Sequence, residues 1–115
     1  MREYVAEYQG KVTSLNDTNG QSWRKRADAT NKFHGIFKIL MLEAKFKPVK
    51  KFRLDVRYNS RHDCDNIVFV AKVFVDTMKG DYIKNDTKEF YRGISITPDE
   101  KLKYNTFIFK ISELK

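Results

Sequence analysis

The hydropathy period of this chain switches within a few residues near its middle, and that switch restricts what it can fold into. Across residues 51–58, Phe52, Leu54, Val56 and Tyr58 alternate with Lys51, Arg53, Asp55 and Arg57. A period of two marks a half-buried strand, here with a basic outer face. Asn59-Ser60 breaks the alternation. From about Asn66 to Lys79 the apolar residues Ile67, Val70, Ala71, Phe74, Val75 and Met78 recur three and four apart, as on the buried face of a helix. The β-branched content of this stretch makes a strand the competing assignment, but its length and spacing favour the helix. A turn is expected between strand and helix.

The flanking segments extend this pattern. Residues 2–9 are β-compatible, with Tyr4, Ala6 and Tyr8 on one face, and residues 13–22 read as a polar loop. Ser22 is placed to cap a helix whose apolar positions run Trp23, Ala27, Thr30, Phe33, Phe37, Leu40, Met41 and Ala44. Gly35 weakens its centre by about 1 kcal/mol relative to alanine, and Pro48 prevents its continuation. Gly80 to Lys88 is a loop, Phe90 to Thr97 a strand, Pro98-Asp99 a turn, and residues 105–113 a last strand with Phe107, Phe109 and Ile111 inward. The order β-α-β-α-β-β implies a single α+β domain over residues 1–115, a small mixed sheet with both helices packed on it.

Composition sets the function classes. With 115 residues, 41% hydrophobic and 14% aromatic, a packed core is expected rather than a disordered tail. No apolar run approaches the ~18 residues of a membrane span, and Met1-Arg2-Glu3-Tyr4-Val5 lacks the apolar stretch of a secretory leader. The lone Cys64 cannot form an internal disulfide, which suits a reducing compartment such as the cytoplasm. The net charge is +8, and residues 45–61 hold seven cations against Asp55 alone. Such an excess favours polyanionic partners. A membrane-surface role lacks the basic amphipathic helix it would need.

Against this charge, the carboxylates of His62-Asp63-Cys64-Asp65-Asn66 stand out. Two side chains separated by one residue in an extended turn point the same way, so both can face one cation. Small hard ions such as Mg²⁺ and Mn²⁺ take a few carboxylate oxygens plus water and phosphate. The plainer account, in which Asp65 caps the helix, leaves Asp63 and Asp86 unexplained. Asp65, Lys72, Asp76 and Lys79 share the polar helix face. There, a Lys72–Asp76 pair is the modest expectation, while a Lys72 ammonium at a phosphate is the functional one. One cysteine and two histidines, His34 and His62, make a poor zinc set. Neighbouring carboxylates raise rather than lower a thiol pKa, which disfavours Cys64 as a nucleophile. Trp23, Tyr58 and Tyr91 are candidate base-stacking residues, although aromatics at this spacing more often pack inside.

Taken together these residues resemble the RusA family of Holliday-junction resolvases. Asp63-Cys64-Asp65-Asn66 matches that family's Asp-x-Asp-Asn opening of a helix, Lys72-Val-Phe-Val-Asp76 its lysine and aspartate four apart, and Lys84-Asn85-Asp86 its acidic loop. Ser14-Leu15-Asn16 with Trp23-Arg24 is more faintly similar to its N-terminal loop. The core likeness covers about residues 53–97. Lys72 sits three residues further along than in the family pattern, a shift of roughly 4.5 Å along a helix. Asn85 replaces an acid, and the N-terminal loop lacks the family's prolines.

The resemblance implies a homodimeric, metal-dependent endonuclease that resolves four-way DNA junctions by paired nicks. It would be bacterial, or phage-encoded and active in the host cytoplasm, with no small-molecule substrate. Asp63, Asp65 and Asp86 would hold Mg²⁺ or Mn²⁺, and Lys72 would steady the phosphate. Asn66 would orient the aspartates or the helix start, and Asp76 would hold Lys72. Lys51, Arg53, Arg57 and Arg61 would grip the DNA backbone. The alternative is a non-catalytic nucleic-acid-binding domain of the same fold.

Overall fold

In a computed structural model, the period-two and period-three-to-four segments become the expected strands and helices. The structure describes residues 2–12 and 23–115, with the side chains of all but 23–26. The expected 13–22 loop, the Ser22 cap, the Ser14-Leu15-Asn16 element and the side chains of Trp23 and Arg24 fall outside it. Six elements follow in the order β1 (Glu3–Gln9), α1 (Trp23–Glu43), β2 (Lys51–Asn59), α2 (Cys64–Met78), β3 (Tyr91–Pro98) and β4 (Thr106–Leu114). This is the α+β class read from the sequence.

The strands form one mixed sheet in the order β1-β4-β2-β3. β4 pairs antiparallel with β1 (Ala6↔Phe109) and with β2 (Val56↔Phe109), whereas β2 and β3 run parallel (Leu54↔Ile94). A parallel pair needs a crossover, which α2 supplies. β1 also runs parallel to β2, with β4 between them and α1 as the connection. Both crossovers step the same way across the sheet. With right-handed connections, both helices therefore fall on one face.

The core is the layer between that face and the helices. Phe52, Leu54, Val56 and Tyr58 of β2 meet Phe107, Phe109 and Ile111 of β4, and Phe33, Phe37, Met41, Ile67, Phe74 and Met78 close over them from the helices. At its centre Phe109 stacks on Phe74 with centroids 4.3 Å apart, and Phe37 packs edge-on to each at 5.3 Å. The helices are also joined by His34, whose Nδ1 donates to Thr77 Oγ1 (2.6 Å) while the Thr77 hydroxyl donates to Val73 O (2.7 Å).

Most element ends shift by one or two residues from the sequence expectation, and two of the shifts have a clear local cause. α1 ends before Pro48 acts. Lys45 takes a left-handed backbone (φ 59), Phe46 N–H reaches back to Met41 O (3.0 Å) and Lys45 N–H to Leu42 O (3.1 Å). This is the Schellman closure, with lysine where glycine is usual and Phe46 tucked inward. α2 begins at Cys64, not Asn66, because Asp63 takes the N-cap position in an extended conformation (φ −78, ψ 161).

Candidate functional site

The acidic motif is fixed by the end of β2. Tyr58 is buried, and its hydroxyl donates to His62 O (2.9 Å) while lying 3.6 Å from Cys64 Sγ. His62 N–H donates to Ser60 Oγ (3.2 Å), tightening the turn. Asn66 N–H then closes the first helical turn on Asp63 O (3.0 Å), so Asn66 shapes the helix start through its backbone. Asp63 stands at the N-cap, yet its side chain makes no capping bond. Asp65, in the first turn, is exposed like Asp63. Neither is in an ion pair among the described residues. The simple capping account therefore explains neither carboxylate.

Further along α2 the polar face forms as expected, with different partners. Lys79 lies 3.5 Å from Asp76 Oδ1 and 3.2 Å from Asp86 Oδ1. Asp76 thus pairs with Lys79, not with Lys72. The helix stops at Met78, and Lys79 takes an extended backbone (φ −60, ψ 136), which lets its chain swing over the loop. The hydrogen bond to Asp86, helped by the charge of Asp76, holds the Lys79 ammonium above its usual range. Lys72 makes no ion pair among the described residues. It faces a cavity of about 210 Å³ with Val68, Val75, Asp86, Tyr91 and Ile94.

Asp86 reaches that cavity because the loop carrying it is anchored at the far end of α2. Tyr82 N–H and Ile83 N–H both bond to Met78 O (2.9 and 3.1 Å), and Ile83 is buried. Asp65 and Lys79 are four turns apart, about 21 Å along a helix axis. The cavity does extend to Val68, one turn past Asp65. Even so, among the described residues no three Asp, Glu, His or Cys side chains are grouped to hold a metal ion. Asp63 and Asp65 stay at the amino end of α2, and Asp86 is brought to Lys72 and Lys79 instead.

The expected DNA grip divides in a similar way. Lys51, Arg53 and Arg57 lie on the sheet face opposite the helices, so the sheet separates them from Lys72 and Asp86. Arg53 Nε pairs with Asp55 (3.1 Å) and Arg57 Nη1 with Asp99 (3.0 Å). A phosphate on that face must compete with these carboxylates. Arg61 stands apart, in the turn before Asp63, where it lines a second cavity with Lys11, Val12, His62, Tyr104 and Asn105. Sequence reading missed Lys11 and Tyr104. The available signal was an aromatic in a lysine-rich turn, Lys101-Leu-Lys103-Tyr104.

The phenols report on these sites. Burial, then the Cys64 contact and the charges of Asp63 and Asp65, push Tyr58 well above the ordinary phenol value. Burial and the charge of Asp86 push Tyr91 up to about 12, and burial raises Tyr8. An absorbance titration should therefore show Tyr8, Tyr58 and Tyr91 ionising after the other tyrosines. A phenol that holds its proton more tightly when folded stabilises fully below the unfolded value near 10, and that stabilisation is lost as pH rises through the folded value. The urea midpoint should accordingly fall between about pH 10 and 12. Coincident titration of all the tyrosines in the folded protein would contradict this placement.

No protein-family model matches the chain, and no curated protein shows significant similarity to it. Among the described residues, no helix is long and apolar enough to cross a membrane.

Proposed function

We propose that this chain is a DNA-processing domain of the RusA-like kind, a structure-selective endonuclease that acts on branched DNA as a homodimer with Mg²⁺ or Mn²⁺. One observation carries the proposal. Asp63 holds the N-cap position without capping, and Asp65 beside it is exposed and, among the described residues, outside any ion pair. A helix amino end carries partial positive charge, which favours negative groups beside it. Two acids that neither cap the helix nor pair with a cation among the described residues, on a chain of net charge +8, suit a cationic ligand next to a polyanion.

The fit to a metal is partial. Asp63 and Asp65 are two residues apart at the amino end of α2, but among the described residues they and Asp86 are not grouped for one ion as folded, and Lys79 holds Asp86. On the protein side, Lys72 offers an exposed ammonium to a phosphate, in a cavity it shares with Asp86. The Lys79 ion pairs favour a second reading, a nucleic-acid-binding domain that does not cut, since they neutralise the third acid internally.

A synthetic four-way junction incubated with the protein under Mg²⁺, Mn²⁺ or chelator separates the two. Paired nicks with either ion and none with chelator are expected. Tight binding without nicking under every ion would establish the second reading in place of the first.

A further inference from the structure

Resting on the homodimer of the reading above, we propose that two copies join through the free edge of β3. Residues 92–98 of each copy pair antiparallel about a two-fold axis at Ser95, and the two sheets continue as one. β2 lies on one side of β3, and among the described residues no strand lies on the other. Such an edge presents unpaired N–H and C=O groups, which proteins commonly guard with charged side chains. The opposite edge follows that rule, since β1 carries the exposed Glu3 and Glu7. The edge of β3 does not. Gly93-Ile-Ser-Ile-Thr97 holds no charge, and three of its five residues are β-branched, as suits a strand with partners on both sides.

The backbone is set for that pairing. Asp99 N–H donates to Tyr58 O (2.8 Å), and Tyr58 stands opposite Pro98. In a parallel ladder each residue bonds to the two neighbours of its partner. Gly93, Ser95 and Thr97 therefore turn their groups to β2, and Ile94, Ile96 and Pro98 turn theirs outward. Proline is tolerated there because it removes no bond from the β2 ladder. The open-face side chains are already tied to β2. Ser95 donates to Asp55 Oδ1, and Arg53 Nη1 stands 2.6 Å from where a side chain on Gly93 would begin. On the helix side, Ile94 and Val68 remain 44% and 49% exposed and line one cavity. A second copy is the occupant because the register is self-complementary. With Ser95 on the axis, Ile94 falls opposite the partner's Ile96 as a hydrogen-bonded pair, Gly93 opposite the partner's Thr97, and Arg92 opposite the partner's Pro98. Two chains of net charge +8 repel one another, and along this stretch no like charges are opposed.

Sedimentation equilibrium of the full chain over a range of concentrations, with circular dichroism to confirm folding, tests the face. Wild-type protein should dimerise. Ile94→Lys adds a cation to both copies at the edge and should raise the dimer dissociation constant by about ten-fold or more. Ser95→Cys should form a covalent dimer on mild oxidation, because opposed residues of a non-hydrogen-bonded pair have Cα atoms about 4.5 Å apart, within disulfide reach. Thr97→Cys, about 14 Å from its own counterpart in this register, and wild-type protein with Cys64 alone should not cross-link. A dimer that survives Ile94→Lys, or that leaves Ser95→Cys uncrosslinked, overturns this face and leaves the homodimer standing. Wild-type protein that stays monomeric overturns the homodimer as well, while cutting is read separately by the junction assay.

Discussion

Phe109→Ala is expected to lower the free energy of unfolding by about 3–5 kcal/mol. Phe109 lies on β4, the strand between β1 and β2, and is fully buried. Its ring meets both helices, stacked on Phe74 and edge-on to Phe37. Truncation removes its burial, leaves a cavity under both helices, and ends two aromatic pairs worth about 0.5–1.5 kcal/mol each beyond area. Against a total of about 5–15 kcal/mol for a domain of this kind, that is a large share. Urea unfolding should show a lower midpoint at an unchanged slope. Phe109→Leu should cost clearly less, because more of the volume is kept. A loss below about 2 kcal/mol for the alanine variant would mean that the helices do not close on this ring.

The second large effect is on chemistry. Asp63→Asn should reduce junction cleavage by more than about 100-fold, beyond the loss from removing a group that only orients a ligand, with junction binding retained or tightened. The substitution is unusually clean. Asn and Asp are equally good N-cap residues, and the Asp63 side chain caps nothing, so α2 should start where it does in the wild type. The lost carboxylate–dipole interaction costs about 0.3–1 kcal/mol at an exposed helix end. Removing a negative charge near phosphate favours binding, so binding and cutting should move in opposite directions. Electrophoretic mobility of the junction complex alongside nicking of a labelled strand reads both. Undiminished cutting by the folded variant would remove Asp63 from the catalytic role.

The aspartate pair was legible because its placement is local. Tyr58, Asn59 and Ser60 end one period, Ile67 begins another, and the acids fall between them. Lys79 shows where local reading stops. It was placed correctly on the polar face of the second helix, but its partners depend on how the chain leaves that helix. Lys72, with the likeness to the RusA pattern behind it, was expected to hold Asp76. In the fold Asp76 pairs with Lys79, because the helix stops one residue earlier and frees that side chain to reach back to Asp76 and across to Asp86. The arginines of β2 illustrate the same limit. Alternation put Arg53, Asp55 and Arg57 on one outer face, so the Arg53–Asp55 pair is local, but only the pairing of β2 with β3 and the turn after it set Asp99 beside Arg57.

By itself the sequence determined six elements, their order, and the junction at which two acids are presented, since periods of two and 3.6 and turn residues act over a few neighbours. Tertiary structure decided the rest: β4 inserted between β1 and β2, both helices on one face, Asp86 drawn to Lys79, and two turns joined into a basic cavity. Those outcomes depend on long-range contacts, such as Val49 bonded to Tyr82 and Asn105 bonded to Asn59, whose partners are far apart along the chain and leave no periodic trace in it.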